Sequence, residues 1–260
     1  MTETLAITPL WTDRFIVNSP RPVGPGAVAQ LSLLGGFELW VHGESVDLPA
    51  SAQRLIAFLA LHPRALARVF VAGRLWTDTG ESQANASLRS TLWRLRSLTP
   101  VIEATATHLS LAAWVAVDVV GCSELTRRVL HDGSLPEPAD LAALGDAGEL
   151  LPDWYDDWLV VERERFRQRR LHCLEAACEQ LASAGRFAEA LEAGLAAVAA
   201  EPLRETAHAA VIRVHLAEGN LVEASRQYEQ LRELLRENLA ASPSARVRML
   251  LREGQLTVAA

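Results

Sequence analysis

Between Gln83 and Leu98 the chain carries Arg89, Arg94 and Arg96 and no acidic residue. Guanidinium groups on a helix donate to phosphate oxygens, or in pairs to guanine O6 and N7, so this cluster points to nucleic-acid contact. The competing reading is a solvated helix face. Helical geometry separates the two. With Asn85 at 0° and about 100° per residue, Leu88, Leu92 and Leu95 fall within roughly 60° of one another. Ser87, Ser90, Arg94 and Ser97 lie on the opposite side, and Trp93, Arg89 and Arg96 on one flank. One stripe is core, and the rest combines arginine with residues small enough to let a duplex approach. Arg94 faces directly away from the stripe and ranks first as a base-reading residue.

Other reactive residue types lead nowhere. His172, Cys173 and Cys178 share one expected helix, but five residues turn the two thiols about 140° apart, a poor metal geometry. His208 and His215 are expected to pack or face solvent rather than bind a metal. The acids of Glu162-Arg-Glu-Arg165 alternate with arginine, as on a solvated, charge-laced helix. GxGxxG, Walker A, GxSxG and HExxH patterns are all missing, so the expectation is a protein that is not an enzyme and holds no cofactor or metal.

Composition narrows the class. Of 260 residues, 50% are hydrophobic and 22% charged, enough apolar content to exclude global disorder. No run reads as a membrane span, and no basic n-region precedes an apolar h-region. Three cysteines without a CxxC fit a reducing, cytoplasmic setting. All 25 basic residues are arginine, a bias of GC-rich coding with no mechanistic meaning. The charge is uneven. Residues 31–111 hold seven arginines against six acids, whereas 112–260 carry a net charge of −8, which repels a nucleic-acid backbone.

Residues 1–30, rich in Pro and Gly near their end, read as a mobile tail. Leu31–Val41 has strand composition with a bend at Gly35-Gly36, and Val46–Leu48 returns. Helices are expected from Ser51, as N-cap, to His62-Pro63, over about Ala67–Trp76, and from Ser82, as cap, to Leu98. Val101–Leu111 reads as a hairpin. Strands, three helices and a hairpin are the order of a winged helix-turn-helix, expected over 31–111. Residues 112–152 read as a connecting segment, with a possible strand at 115–120 and helix at 122–131. Residues 153–260 are helical and repetitive. Gly185-Arg-Phe-Ala-Glu-Ala190 aligns with Gly219-Asn-Leu-Val-Glu-Ala224 at an offset of 34 residues, the tetratricopeptide period. The expected fold is an α+β winged helix-turn-helix domain followed by an all-α tetratricopeptide-like domain, with added helices at Trp158–Leu181 and Arg246–Leu256. The aromatics of Asp153–Trp158 are expected to pack the seam between them.

Leu31–Leu39, Arg54–His62, Leu75-Trp76 and Ser87–Arg96 resemble the OmpR-type winged-helix domain of the Streptomyces antibiotic regulatory protein (SARP) family. Trp158 with Glu162–Arg165, Gly185-Arg186 with Glu189-Ala190, Glu201–Glu205 and Tyr228–Leu235 are similar to that family's bacterial transcriptional activator domain. The resemblance spans about residues 31–256, and no NTPase or sensor domain follows, as in a small family member. It implies a sequence-specific transcriptional activator, commonly of a secondary-metabolite gene cluster. Such a protein binds direct repeats of double-stranded DNA near promoters as a side-by-side homodimer and contacts RNA polymerase and its sigma factor. By position, Arg94, Arg89, Ser90, Trp93, Ser97, Ser87 and Arg96 would face DNA, and Asp78 and Glu81 would meet polymerase. Two departures stand out: Thr105-Ala-Thr-His108 replaces the usual Gly-Tyr of the wing, and Asn238-Leu-Ala240 replaces Glu-Leu-Gly. The alternative is a helical-repeat adaptor that binds proteins without reading DNA sequence.

Overall fold

The computed structural model describes residues 29–98 and 101–258. The tail reading for 1–28 and the helix stop at Thr99-Pro100 lie outside these residues. The run from Leu31 to Val41 is two strands, β1 (Ala29–Ser32) and β2 (Glu38–Val41), paired antiparallel with Leu31 opposite Leu39. Alternating burial along β1 puts Ala29 and Leu31 into the core. β3 (Glu44–Ser45) pairs with β2 and is shorter than the expected Val46–Leu48 strand, which it also precedes.

Helix α1 (Ala50–Ala60) begins after Pro49, which is itself the N-cap in an extended conformation; Ser51 lies inside the first turn and does not cap. Seven of its residues are buried, from Ala52 to Ala60. A two-residue strand, β4 (Leu66–Ala67), leads directly into α2 (Arg68–Leu75). Helix α3 (Glu81–Leu98) starts one residue before Ser82, so that serine also sits within the helix. The hairpin follows as β5 (Ile102–Ala104) and β6 (His108–Leu111), and β4 joins its free edge to make the order β4-β6-β5.

Residues 112–152 are built into both halves of the molecule. β7 (Val115–Val117) pairs parallel with β1 and completes a sheet of order β3-β2-β1-β7. α4 (Asp118–His131) and α5 (Pro138–Gly145) instead contribute Leu125, Val129, Leu141 and Leu144 to the core of the helical half. That half comprises α6 (Asp157–Ser183), α7 (Phe187–Ala200), α8 (Glu205–Ala217), α9 (Leu221–Leu239) and α10 (Ala245–Val258).

The 34-residue repeat is visible in its hydrogen bonds. Gly185 N–H donates to Ala182 O and Arg186 N–H to Leu181 O; Gly219 donates to Leu216 O and Asn220 to His215 O, the same pattern one repeat later. Both glycines have φ near the left-handed region, +75° and +80°, which a Cβ would oppose. Ala190 and Ala224, the small residues of the two motifs, are fully buried.

The seam is closed by several contacts. Trp158 of α6 enters the first core and meets Phe58 of α1 edge-on, with ring centroids 5.1 Å apart. Trp154 stacks on Phe37 at 6.0 Å. Arg54 of α1 pairs with Asp156, which also accepts from Trp158 Nε1 at 3.2 Å. Gly35 N–H donates to Glu149 O and Leu151 N–H to Leu33 O, both at 2.8 Å. A Cβ on Gly148 would stand 3.0 Å from Gly35 backbone atoms, a tight contact that favours glycine at this approach. Of the aromatics expected at the seam, only Tyr155 turns outward, at 92% exposure.

Candidate nucleic-acid interface

Helix α3 owes its orientation to its apolar stripe. Ala84, Leu88, Thr91, Leu92 and Leu95 are buried against the first core, with Thr91 Oγ1 donating to Ser87 O at 2.9 Å to satisfy its hydroxyl. α2 packs along α3 through Val71, Ala72 and Leu75. With that stripe fixed, Arg89, Ser90, Trp93, Arg94 and Arg96 are exposed; Trp93 reaches 74%. Ser87 is half-buried on the flank, and Ser97 stands in the last turn of the helix. Arg89 and Arg96 form no ion pair among the described residues, and the acidic half of the chain does not cover them.

An open groove of about 490 Å³ runs between α3 and the β5–β6 hairpin. Arg68, Arg89, Trp93, Arg96, Ile102 and Ala104 line it, and no carboxylate does. Arg68 was not legible as a site residue. It is the first residue of α2, and its N–H donates to Thr107 O at 2.9 Å, which ties the start of α2 to the hairpin turn. Its Nε is sealed from water without a hydrogen-bond partner. A buried donor left unpaired is costly, and the residue that carries it lines the groove. The sequence signal was faint, because only the β4–β6 pairing, Leu66 with Leu109, brings Arg68 beside α3.

The hairpin turn is built from threonine rather than glycine. Thr105 Oγ1 accepts from His108 N–H at 3.0 Å and from Thr107 N–H at 3.4 Å. These bonds close the turn with no left-handed residue, which accounts for the departure from Gly-Tyr. Asp78 lies in the exposed loop before α3, and Glu81, also exposed, opens that helix.

The other reactive residue types are structural. Cys122, Cys173 and Cys178 are buried thiols; burial pushes Cys173 up to about 11 and Cys178 to about 12, so both stay protonated and unreactive. His208 is completely buried. Its Nε2 lies 3.0 Å from Pro202 O, and Gln227 Nε2 donates to its Nδ1 at 2.8 Å, which fixes the neutral tautomer. Burial holds its pKa below the ordinary imidazole range. No cluster of three or more His, Cys, Asp or Glu residues with metal-binding geometry occurs among the described residues. Among the same residues no helix is long and apolar enough to cross a membrane.

The chain thus joins a set of helical repeats to a small α+β unit whose third helix displays arginines. Residues 128–253 match the family model of the bacterial transcriptional activator domain. The fold is similar to that of EmbR from Mycobacterium tuberculosis, solved in complex with a low-affinity phosphopeptide: TM-score 0.63, 18% identity, covering 88% of this chain. The chain spans 65% of that chain's length. No curated protein matches. The helical half is thus similar to the bacterial transcriptional activator domain, and the likeness to EmbR shows the fold alone.

Proposed function

We propose that the chain is a DNA-binding transcriptional activator whose first unit is a winged helix-turn-helix over residues 31–111, with α3 as its recognition helix. The observation that carries this reading is the outward face of α3, where exposed arginines project over a groove free of acids while the leucine stripe is buried. Arg94, with Ser90 and Ser97 beside it, reads base edges in the major groove. Arg68, Arg89 and Arg96 take phosphates, and Trp93 covers the sugar edge. The threonine turn offers no guanidinium to the minor groove, so the hairpin contributes little affinity there. Asp78 and Glu81, displayed just before and at the start of α3, contact RNA polymerase or its sigma factor.

The remainder of the chain opposes nonspecific binding through its charge, so tight binding draws on two copies on direct repeats or on polymerase contact. A secondary-metabolite gene cluster is the expected target. Footprinting of genomic DNA with the purified full chain, with and without RNA polymerase, tests this. Discrete protected direct repeats that strengthen with polymerase are expected. Uniform weak protection, together with a stable protein complex formed without DNA, would favour the adaptor reading.

A further inference from the structure

A second pocket, of about 260 Å³, lies at the seam between the two units. Its walls are apolar: Leu61 just beyond α1, Val119 and Val120 of α4, Leu150, and Phe166 of α6. Val120, 54% exposed, stands at the mouth of this pocket. The rim is cationic. Glu162, Arg165, Arg169 and Arg170 all line the pocket, one carboxylate against three guanidiniums in a chain whose net charge is −7.

The three arginines are not equivalent. Arg165 is taken by Glu162 at 2.7 Å. Arg169 is exposed and has no ion pair among the described residues. Arg170 is half-buried, and its Nε and Nη2 donate to Leu144 O and Gly145 O at 2.7 and 2.8 Å. Those acceptors are neutral carbonyls at the end of α5. Burial lowers the pKa of Arg170, and Cys122 and then Asp146 oppose this only through space. A sheltered cation ordinarily has an anionic partner. Here the protein supplies none in contact, and the pocket opens beside it. Apolar walls with a few convergent polar groups at a domain interface are the usual makings of a ligand site. The volume falls just under the roughly 300–1,000 Å³ of drug-sized sites, which selects a small ligand.

We propose that this seam pocket binds a small amphipathic carboxylate, its hydrocarbon chain against Leu61, Val119, Val120, Leu150 and Phe166 and its carboxylate on Arg169 and Arg170. Because α1 forms one wall and α4 and α6 the others, the occupant touches both units at once. The inference does not depend on what α3 binds.

Isothermal titration of the full chain with decanoate, and with decanol as the uncharged control, tests it. Saturable one-to-one binding of decanoate is expected, with decanol at least about tenfold weaker, since a charge-assisted hydrogen bond is lost. Arg169→Ala should weaken decanoate by a similar factor. Val120→Trp, which fills the pocket, should abolish binding without altering the melting temperature. If that variant does not fold, Val120→Asp, which places a carboxylate against the ligand, replaces it with the same expected loss. Absence of saturable decanoate binding, equal binding of decanol, or full affinity in the Val120 variant would overturn the proposal.

Discussion

The two halves use the same residue in opposite ways. In the helical half, arginine after arginine is matched to an acid three residues away or on a neighbouring helix: Arg186 with Glu189, Arg226 with Glu223, Arg232 with Glu229, Arg213 with Glu179 and Arg204 with Glu175. On α3, among the described residues, Arg89 and Arg96 form no ion pair and line a groove without a carboxylate. The contrast teaches that an arginine's role is set by the residues three and four positions away and by the opposing helix. Where those supply carboxylates, the guanidinium is spent on the fold; Arg163 and Arg170 are spent on backbone carbonyls instead, and Arg89 and Arg96 meet neither among the described residues.

The contrast sharpens when the most enclosed pair is broken. Arg204 and Glu175 have side chains only 17% and 13% exposed, and Arg204 also reaches Gln168 at 3.2 Å. Arg204→Ala should cost about 2–3 kcal/mol in urea unfolding, because Glu175 is left as an unpaired, largely buried charge. DNA affinity at temperatures well below the melting point should not change.

Acid should weaken the helical half in two stages. Burial depresses the pKa of His208, so its contribution is complete above the unfolded value of about 6.5 and is lost as pH falls below that toward the folded value. Burial pushes Glu175 up, but hydrogen bonds from Arg204 and Thr206 outweigh it and leave its pKa below the ordinary carboxylate range. Its contribution therefore persists to lower pH and is lost as pH falls through that depressed value. Thermal melts from pH 8 to pH 3 should show both declines, and His208→Gln should remove the first.

A smaller effect concerns the end of α9. Ala240 adopts φ +51° and ψ +33° as the C-cap, a left-handed conformation that costs an L-residue about 1 kcal/mol or more. Glycine adopts this conformation without a Cβ penalty, so Ala240→Gly should raise stability by about 1 kcal/mol, read as an increase in the urea midpoint. Smallest of all, Arg89→Ala and Arg96→Ala should leave unfolding within about 0.5 kcal/mol of the parent, as expected for exposed groups with no partner to strand. A larger loss in either would place these arginines with those of the helical half.

Much of this organisation could be read from local pattern. The leucine spacing of α3 fixed its buried stripe, and the repeated glycine and Glu-Ala motifs located the turns of the helical hairpins, because both signals act within one or two helical turns. What escaped was long-range. β4 is two residues long and exists through its pairing with β6, so neither it nor the placement of Arg68 had a local signature. β7 joins β1 across more than eighty residues, and Asp118, at the start of α4, reaches back to accept from Leu33 and Leu34 N–H groups. Arg163 holds the carbonyls of Leu150, Leu151 and Trp154, bonds invisible in a charge count. The caps at Ser51 and Ser82 misled because the chain already turned into helix one or two residues earlier, at Pro49 and Glu81.

Arg94 carries the greatest weight in the account. The most direct measurement is the affinity of the full chain and of Arg94→Ala for a footprinted site and for a scrambled duplex, at two or more salt concentrations. The account predicts a loss of about 1–3 kcal/mol on the footprinted site and little change on the scrambled one. Arg68→Ala, by contrast, should weaken both duplexes and lower the salt slope by about 0.9. Parental affinity and parental discrimination in Arg94→Ala would contradict the assignment of α3 as the helix that reads DNA.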